Sequence, residues 1–299
     1  MSTIKQKYVL ITPARNEGDY IEKTIQSVIS QKIKPVKWVI VSDGSTDDTE
    51  QIVQKYLQEN CFIELVKTED YPNRDFGSKV NAFNLGYDKV KMLDYDFIGN
   101  LDGDVAFPPG YFEEVLKKFS ENDKLGLAGG IRYDYVDGNF RKINSSRNSV
   151  AGAFQLFRRE CFEKIGGYMP LKYGGIDSVA ETMTRMYGWE VRSFTDLVVQ
   201  HYKPTGSGTN NIIKQRFRAG VKFHMIGYHP LFPIIRFASR YNQKPYVLGS
   251  LISISGFLWA SLRNFKRSVP TEFVKYLRFE QSQRMKTFFR KGKDPVFRS

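Results

Sequence analysis

The first hundred residues alternate between short apolar runs and amphipathic stretches. Tyr8-Val9-Leu10-Ile11-Thr12 is an apolar, β-branched run of strand length, and Ile21, Ile25, Val28 and Ile29 then recur at helical spacing. Trp38 to Ser42 reads as a second strand, followed by a helical pattern through Ile52, Val53, Tyr56 and Leu57. Ser45 and Asp48 have the spacing of a capping box ahead of that helix. Phe62 to Val66 predicts a third strand, Val80, Phe83 and Tyr87 a third helix, and Phe97 to Leu101 a fourth strand. Alternation of this length predicts an α/β domain with a mostly parallel central sheet and helices on both faces. Such sheets bind ligands beyond the carboxyl ends of their strands. That rule singles out three loops: Pro13 to Gly18, Asp43 to Asp48, and Asp102 to Asp104.

Beyond Gly110 the pattern loosens. Tyr111 to Phe119 predicts a helix, Leu125 to Ile131 a strand, and Asp137-Gly138 a turn. Cys161 to Ile165 predicts a short helix closed by Gly166-Gly167. Val179, Met183 and Met186 share one face of another helix that ends at Gly188. Trp189 to Phe194 and Leu197 to Gln200 are strand-like. After His201 the chain turns aromatic, basic and proline-interrupted, which predicts two regions, 1–205 and 206–299.

Charge sharpens that division. The net charge is +13, yet residues 1–200 carry 26 Lys and Arg against 29 Asp and Glu, while residues 201–299 carry 19 against three. A basic region of this kind suits an anionic partner: lipid head groups, nucleic acid or an acidic polymer. Lys222, Phe223, Tyr228, Leu231, Phe232, Ile234, Ile235, Arg236 and Phe237 form an amphipathic stretch interrupted by His229-Pro230 and Pro233. A basic aromatic surface predicts docking on an anionic membrane. Pro245 to Leu262 is uncharged, but its four serines and two glycines predict a buried or interfacial helix rather than a span. No secretory leader pattern opens the chain. Cys61 and Cys161 lie far apart and outside any CxxC pair, which argues against a zinc site or disulfide framework and fits a reducing compartment. The expected location is cytoplasmic, peripheral on the inner face of the membrane.

Two sets of residues carry candidate chemistry. Asp102 and Asp104, two apart, point the same way on extended backbone, with Gly103 between them to permit a bend and close approach of a ligand. Two carboxylates aimed at one point are costly unless a cation joins them, and Mg²⁺-type ions take carboxylate and phosphate oxygens with few protein ligands. The alternative is an acidic surface turn. Asp43, at the end of the second strand, can accept a base N–H or a ribose hydroxyl, or simply belong to the loop that leads into a helix. No GxGxxG follows the first strand, which disfavours a dinucleotide oxidoreductase.

Four segments in order over the first 200 residues then form a pattern. Thr12-Pro13-Ala14-Arg15-Asn16-Glu17, Ser42-Asp43-Gly44-Ser45-Thr46-Asp47-Asp48-Thr49, Gly77-Ser78-Lys79-Val80-Asn81-Ala82-Phe83-Asn84-Leu85-Gly86 and Asp102-Gly103-Asp104 resemble the family 2 glycosyltransferases of the GT-A fold. The resemblance implies non-processive, inverting transfer from a nucleotide-diphosphate sugar, UDP-sugar favoured, to a glycan or polyprenyl-linked acceptor, in surface polysaccharide or glycoconjugate synthesis. It implies that Pro13, Ala14, Arg15, Glu17 and Asp43 hold base and ribose, and that Lys79 lies near the nucleotide. Asp102 would touch ribose or metal, and Asp104 would hold Mn²⁺ or Mg²⁺. A lone histidine is more often structural, but the resemblance places His201 near the metal or diphosphate. Asp177 falls on the family's general base, with Ile176 where a Glu is usual, and Glu181, one helical turn on, is the second candidate. Gly152 to Arg159 would lie beside the acceptor, its rings either stacked on sugar or, for Phe157, in the core. Gln215 to Gly220 partly resembles the QxxRW motif of processive relatives, with Ala219 in place of its Trp; Arg218 would neutralise the diphosphate or lie on a solvated basic helix. The competing readings are a non-catalytic nucleotide-sugar scaffold and a basic nucleic-acid-binding protein. Intact carboxylates weigh against the first, and the lack of a nucleic-acid module weighs against the second.

Overall fold

The computed structural model describes residues 6–69, 75–203, 211–238 and 246–291. Two compact units emerge, one made of Met1–Pro170 with Ile176–Thr205 and one of Leu171–Gly175 with Gly206–Ser299. The boundary expected near Thr205 lies outside the described residues.

The first unit runs β1 (Tyr8–Ala14), α1 (Ile21–Ile29), β2 (Lys37–Asp43), α2 (Thr49–Leu57), β3 (Ile63–Thr68), α3 (Ser78–Val90), β4 (Phe97–Leu101) and β5 (Val105–Ala106). It continues with α4 (Tyr111–Ser120), β6 (Leu125–Val136), β7 (Asn139–Lys142), β8 (Phe154–Arg158), α5 (Arg159–Lys164), α6 (Ile176–Met186) and β9 (Glu190–His201). One sheet joins the strands in the order β3-β2-β1-β4-β8-β6-β9-β5, with β7 on β6. Pairing among β3, β2, β1 and β4 is parallel, as the alternation predicts. From β8 onward the sheet is mixed: β8 runs antiparallel to both β4 and β6, and β5 antiparallel to β9, while β6 and β9 are parallel. The strict βαβ rule governs only the amino-terminal half, because later strands pair antiparallel as well as parallel and two of them, β6 and β7, form a hairpin. In that hairpin Asp137 (φ 51°) and Gly138 (φ 82°) supply the two left-handed positions of the expected turn.

β1 shows that helices cover both faces. Tyr8 stacks on Phe112 of α4 at 4.7 Å between ring centres. Ile11, three residues on, faces α3 so closely that a methyl on Gly86 would come within 2.6 Å of it. Side chains three apart on a strand lie on opposite faces. The two strand-like runs around residues 189–200 are halves of one strand. The register shifts between Gly129↔Ser193 and Ile131↔Val198, so residues 194–197 bulge out and interrupt the alternation that marks a continuous strand.

The second unit is helical: α7 (Ile212–Ile226), α8 (Leu231–Ala238), α9 (Tyr246–Leu262) and α10 (Thr271–Lys291). α7 and α9 cross at backbone contact. A methyl on Gly220 would sit 1.9 Å from the Ser253 carbonyl oxygen, and one on Gly256 2.2 Å from that of Phe217. The expected basic aromatic surface on 222–237 is corrected here. Phe223 packs with Phe257, Phe232 with Met285, and Tyr228 against both pairs, so these rings are core. Gly227 (φ 84°) ends α7 and turns the chain back, which folds the two halves of the stretch onto each other. Pro233 is the third residue of α8, where no intrahelical N–H is required. The side chains of Ile234 and Phe237 lie outside the described residues. Among the described residues no helix is long and apolar enough to cross a membrane.

Candidate active site

The loops after β1 and β2 build each other. Asn16 takes a left-handed conformation (φ 52°), and its Oδ1 accepts the Thr46 N–H at 2.9 Å. Its own N–H donates to Ser45 Oγ, the Glu17 N–H to Thr49 Oγ1, and the Gly18 N–H to Asp47 Oδ2. The capping box expected from Ser45 and Asp48 is therefore not made. Ser45 serves Asn16, Asp48 gives no side-chain cap, and Asp47 Oδ1 instead accepts the Thr49 N–H. Burial opposes ionisation of Asp47, but hydrogen bonds from Thr49 and Gly18 outweigh it and hold its carboxyl below the usual range. Asn16 and Asp47 build the site without being candidates for ligand contact. Their signal is their place in the loops after β1 and β2 together with residue type, since Asn and Asp favour left-handed and turn positions.

Pro13, Ala14, Arg15, Glu17, Asp43, Lys79, Asp102 and Asp104 line one cleft of about 290 Å³. Pro13 and Ala14 form the end of β1, past the last residue paired to β4, so the backbone there faces the cleft edge with one strand partner only. Asp43, buried, ends β2 and lies 3.3 Å from Thr68 Oγ1. Asp75, Phe76, Ser78 and Gly103 complete the wall. Phe76, 59% exposed at the lip, was not foreseen; its signal is an aromatic ring in the turn that starts α3. The missing side chain of Gly103 also makes room for Glu17 and Ile21, each within 3.1 Å of where a methyl would be.

The cleft floor is short of positive charge. Lys79 Nζ donates to Asp102 Oδ1 at 2.5 Å. Burial lowers the Lys79 pKa, but Asp102, then Asp104 and Asp177, more than offset it and the net shift is upward. Asp104 is anchored by its backbone, whose carbonyl accepts the Tyr202 N–H at 2.9 Å. Its carboxyl is buried, and Oδ1 has no hydrogen-bond partner among the described residues. Burial first, and the Asp102 charge second, push Asp104 up to about 6. Glu17 behaves alike: Oε1 accepts Lys203 Nζ at 3.1 Å, Oε2 is buried without a partner among the described residues, and burial with the Asp104 charge pushes it up to about 7. His201 sits opposite Val105 and Asp134 in the sheet, so its Nδ1 lies 3.0 Å from Asp134 Oδ1 and its Nε2 3.6 Å from Asp104 Oδ2.

This donor set fits a divalent cation. A bound ion would satisfy the orphaned Asp104 oxygen and offset its clash with Asp102, and the Asp134 carboxylate holds His201 as outer partners hold ligating imidazoles. No group of three or more His, Cys, Asp or Glu side chains suited to a metal forms among the described residues. An ion here would take few protein ligands and fill its remaining positions from phosphate and water, as Mg²⁺ and Mn²⁺ do.

Asp177 stands in the first turn of α6. It packs on Gly152 so tightly that a methyl there would lie 2.9 Å from its Cβ. The Gly152 carbonyl in turn accepts Asn100 Nδ2 from β4, which ties Asp177 to the strand end that carries Asp102. Glu181 is directed elsewhere. It is buried, and its Oε1 accepts the Val150 N–H at 2.7 Å and Ser149 Oγ at 3.0 Å. It therefore struts the 149–150 segment. Phe154 and Phe157 are also buried and belong to the core, not to a sugar-stacking surface. Arg218 lies on α7, in the second unit.

Burial, then the Asp177 charge, push Glu181 from 4.5 up to about 8. The native state thus holds this proton more tightly than the unfolded chain, so stability is lost as pH rises from about 4.5 through about 8. Glu181→Gln keeps the acceptor and removes the buried charge. Thermal melts are expected to show it stabilised by up to about 5 kcal/mol at pH 9 and unchanged near pH 4.5. An equal loss at both values would contradict the strut reading.

The carboxylate-lined cleft lies at the carboxyl ends of β1, β2 and β4, where sheets of this kind bind their ligands, and similarity to solved structures identifies the fold as that of the GT-A glycosyltransferases. The chain belongs to glycosyl transferase family 2, whose family model matches residues 9–177. It is 25% identical over 198 residues to the poly-beta-1,6-N-acetyl-D-glucosamine synthase of Staphylococcus aureus (strain MSSA476), covering 60% of this chain and 44% of the relative. The Staphylococcus epidermidis synthase matches to the same extent. The chain thus spans less than half the length of these relatives. Among solved structures it is similar to the mannosyltransferase PcManGT from Pyrobaculum calidifontis in complex with GDP-Man and Mn2+ (TM-score 0.56, 16% identity, 99% of this chain and 83% of that one). It is also similar to S. aureus TarS 1-349 in complex with UDP-GlcNAc (TM-score 0.55, 15% identity, 91% and 78%).

Proposed function

We propose that this glycosyltransferase moves one sugar at a time, with inversion, from a nucleotide-diphosphate donor to a hydroxyl of a glycan or polyprenyl-linked acceptor. The product would be a surface polysaccharide or glycoconjugate made at the cytoplasmic side of the membrane. The carrying observation is the convergence of eight motif residues on one cleft in which a buried carboxylate, Asp104, has an orphaned oxygen among the described residues. A UDP-sugar is favoured, because one structural neighbour holds UDP-GlcNAc and the matching synthases are named for an N-acetylglucosamine polymer.

In this reading Asp43 and the Pro13–Glu17 segment receive base and ribose. Lys79, held by Asp102, faces the diphosphate. Asp104, with Asp102 and His201, would hold Mn²⁺ or Mg²⁺, which supplies Lewis-acid stabilisation of the departing diphosphate when bound. Asp177 accepts the acceptor hydroxyl's proton as that oxygen forms its bond to the anomeric carbon. The bond from that carbon to the phosphate oxygen breaks on the opposite face, its electron pair leaving with the nucleoside diphosphate. Asp177 serves this role better than Glu181, whose Oε1 is engaged within the fold.

Calorimetric titration of UDP and GDP with and without Mn²⁺ tests the site. At least about tenfold tighter binding of one nucleotide in the presence of the ion is expected, because each ligand supplies charge the other needs. Equal affinity with and without Mn²⁺ for both nucleotides would contradict the metal–diphosphate assignment.

A further inference from the structure

α9 carries no charged residue over Tyr246–Leu262 and has two unlike faces. One face packs into the second unit through Ser253, Gly256, Phe257 and Ala260, all buried. The other presents Val247, Leu248, Leu251, Leu258, Trp259 and Leu262, each at least 40% exposed. These positions recur at helical spacing and share one side of the helix, an apolar stripe interrupted midway by the exposed Ser255. A stripe of this size on a soluble surface marks an interaction site.

The charge around it identifies the occupant. From Leu197 to Thr271 the chain contains no Asp or Glu and eleven Lys and Arg. Arg263, Lys266 and Arg267 follow directly on the helix and are exposed. An apolar stripe ended by cations, with a Trp one turn from them, matches the boundary between lipid tails and anionic head groups. A second copy fits worse, since pairing the stripes would bring two acid-free basic segments together. At 17 residues the helix is about 25 Å long, short of the roughly 30 Å hydrocarbon core, so it would lie in the interface rather than cross it.

We infer that α9 is a membrane-docking helix that lies in the surface of an anionic bilayer through Val247, Leu248, Leu251, Leu258, Trp259 and Leu262. This goes beyond the sugar-transfer reading and does not depend on it. It also moves the membrane contact from the 222–237 stretch, whose rings are core, to the uncharged helix expected to be buried or interfacial.

The full chain is mixed with vesicles of phosphatidylcholine alone or with one-third phosphatidylglycerol, and sedimentation and tryptophan emission are followed. Binding to the anionic vesicles is expected, at least about tenfold tighter than to neutral ones and weakened by salt. A blue shift should accompany it and be lost in Trp259→Phe, since of the other two tryptophans Trp38 is fully buried and Trp189, half-buried, lies outside α9. Leu248→Gln/Leu251→Gln/Leu258→Gln changes exposed positions only and should lose at least about tenfold in binding. Arg263→Gln/Lys266→Gln/Arg267→Gln should lose about fivefold per cation removed. No vesicle binding by the native chain, or undiminished binding by the leucine variant, would overturn the inference. A dimer in solution that the leucine variant dissociates, without vesicle binding by the native chain, would overturn it in favour of a second copy.

Discussion

Asp177→Asn is expected to lower turnover by about 10²- to 10⁴-fold while changing donor affinity by less than about threefold. The substitution preserves shape, so the packing against Gly152 survives, and it removes only the ability to accept a proton. General-base loss acts on the transition state alone, which places the effect in kcat and leaves donor binding in place. Steady-state kinetics with saturating donor, beside a nucleotide titration of the same variant, separates these terms. Glu181→Gln serves as the internal contrast. If Glu181 is a strut, its variant keeps most of the activity, and the two carboxylates, four residues apart on α6, divide into one chemical and one structural group. Loss of turnover in Glu181→Gln with full activity in Asp177→Asn would reverse the assignment.

Asp104→Ala has the other large effect. Turnover is expected to fall by about a thousandfold, the scale of several kcal/mol of lost charge stabilisation. Nucleotide affinity in Mn²⁺ should drop to the value measured without it. The same variant should be more stable than the native chain above pH 6. In the native state burial and Asp102 raise the Asp104 pKa from 3.8 to about 6, so ionising it costs stability as pH rises through that window. Alanine removes the cost. Gain of stability with loss of function is the pattern of a residue held in an unfavourable state for its task. Chemical denaturation at pH 4 and pH 8 measures it, and a destabilised Asp104→Ala at pH 8 would show that Asp104 is a structural acid.

Much of this site could be read from the chain because it lies in the parallel half of the sheet. There, each strand ends in the loop that faces the ligand, so Pro13, Asp43 and Asp102 are marked by position as well as type. The second half hid more. Phe154–Arg158 is a central strand, but its first four residues are all buried, so it shows no alternation. The bulge at 194–197 split β9 into two apparent strands. Lys79, on a helix, joined the cleft only through the family pattern, while Asn16 and Asp47 act through hydrogen bonds 29 to 30 residues apart that no local pattern reports. The 222–237 stretch misled for a related reason. Its aromatic rings were assigned to a surface, but the turn at Gly227 folds them inward, and helical spacing says which residues share a face without saying what the face meets.

The most direct test is release of nucleoside diphosphate from UDP-, GDP- and dTDP-sugars by the native chain, with Mn²⁺ or Mg²⁺ and membrane extract as acceptor. Metal-dependent release from one donor, with the sugar recovered on the acceptor in inverted configuration, is the predicted result. Tight metal-dependent binding of a donor with no release and no transfer in the presence of acceptor would contradict it and leave a nucleotide-sugar-binding protein in its place.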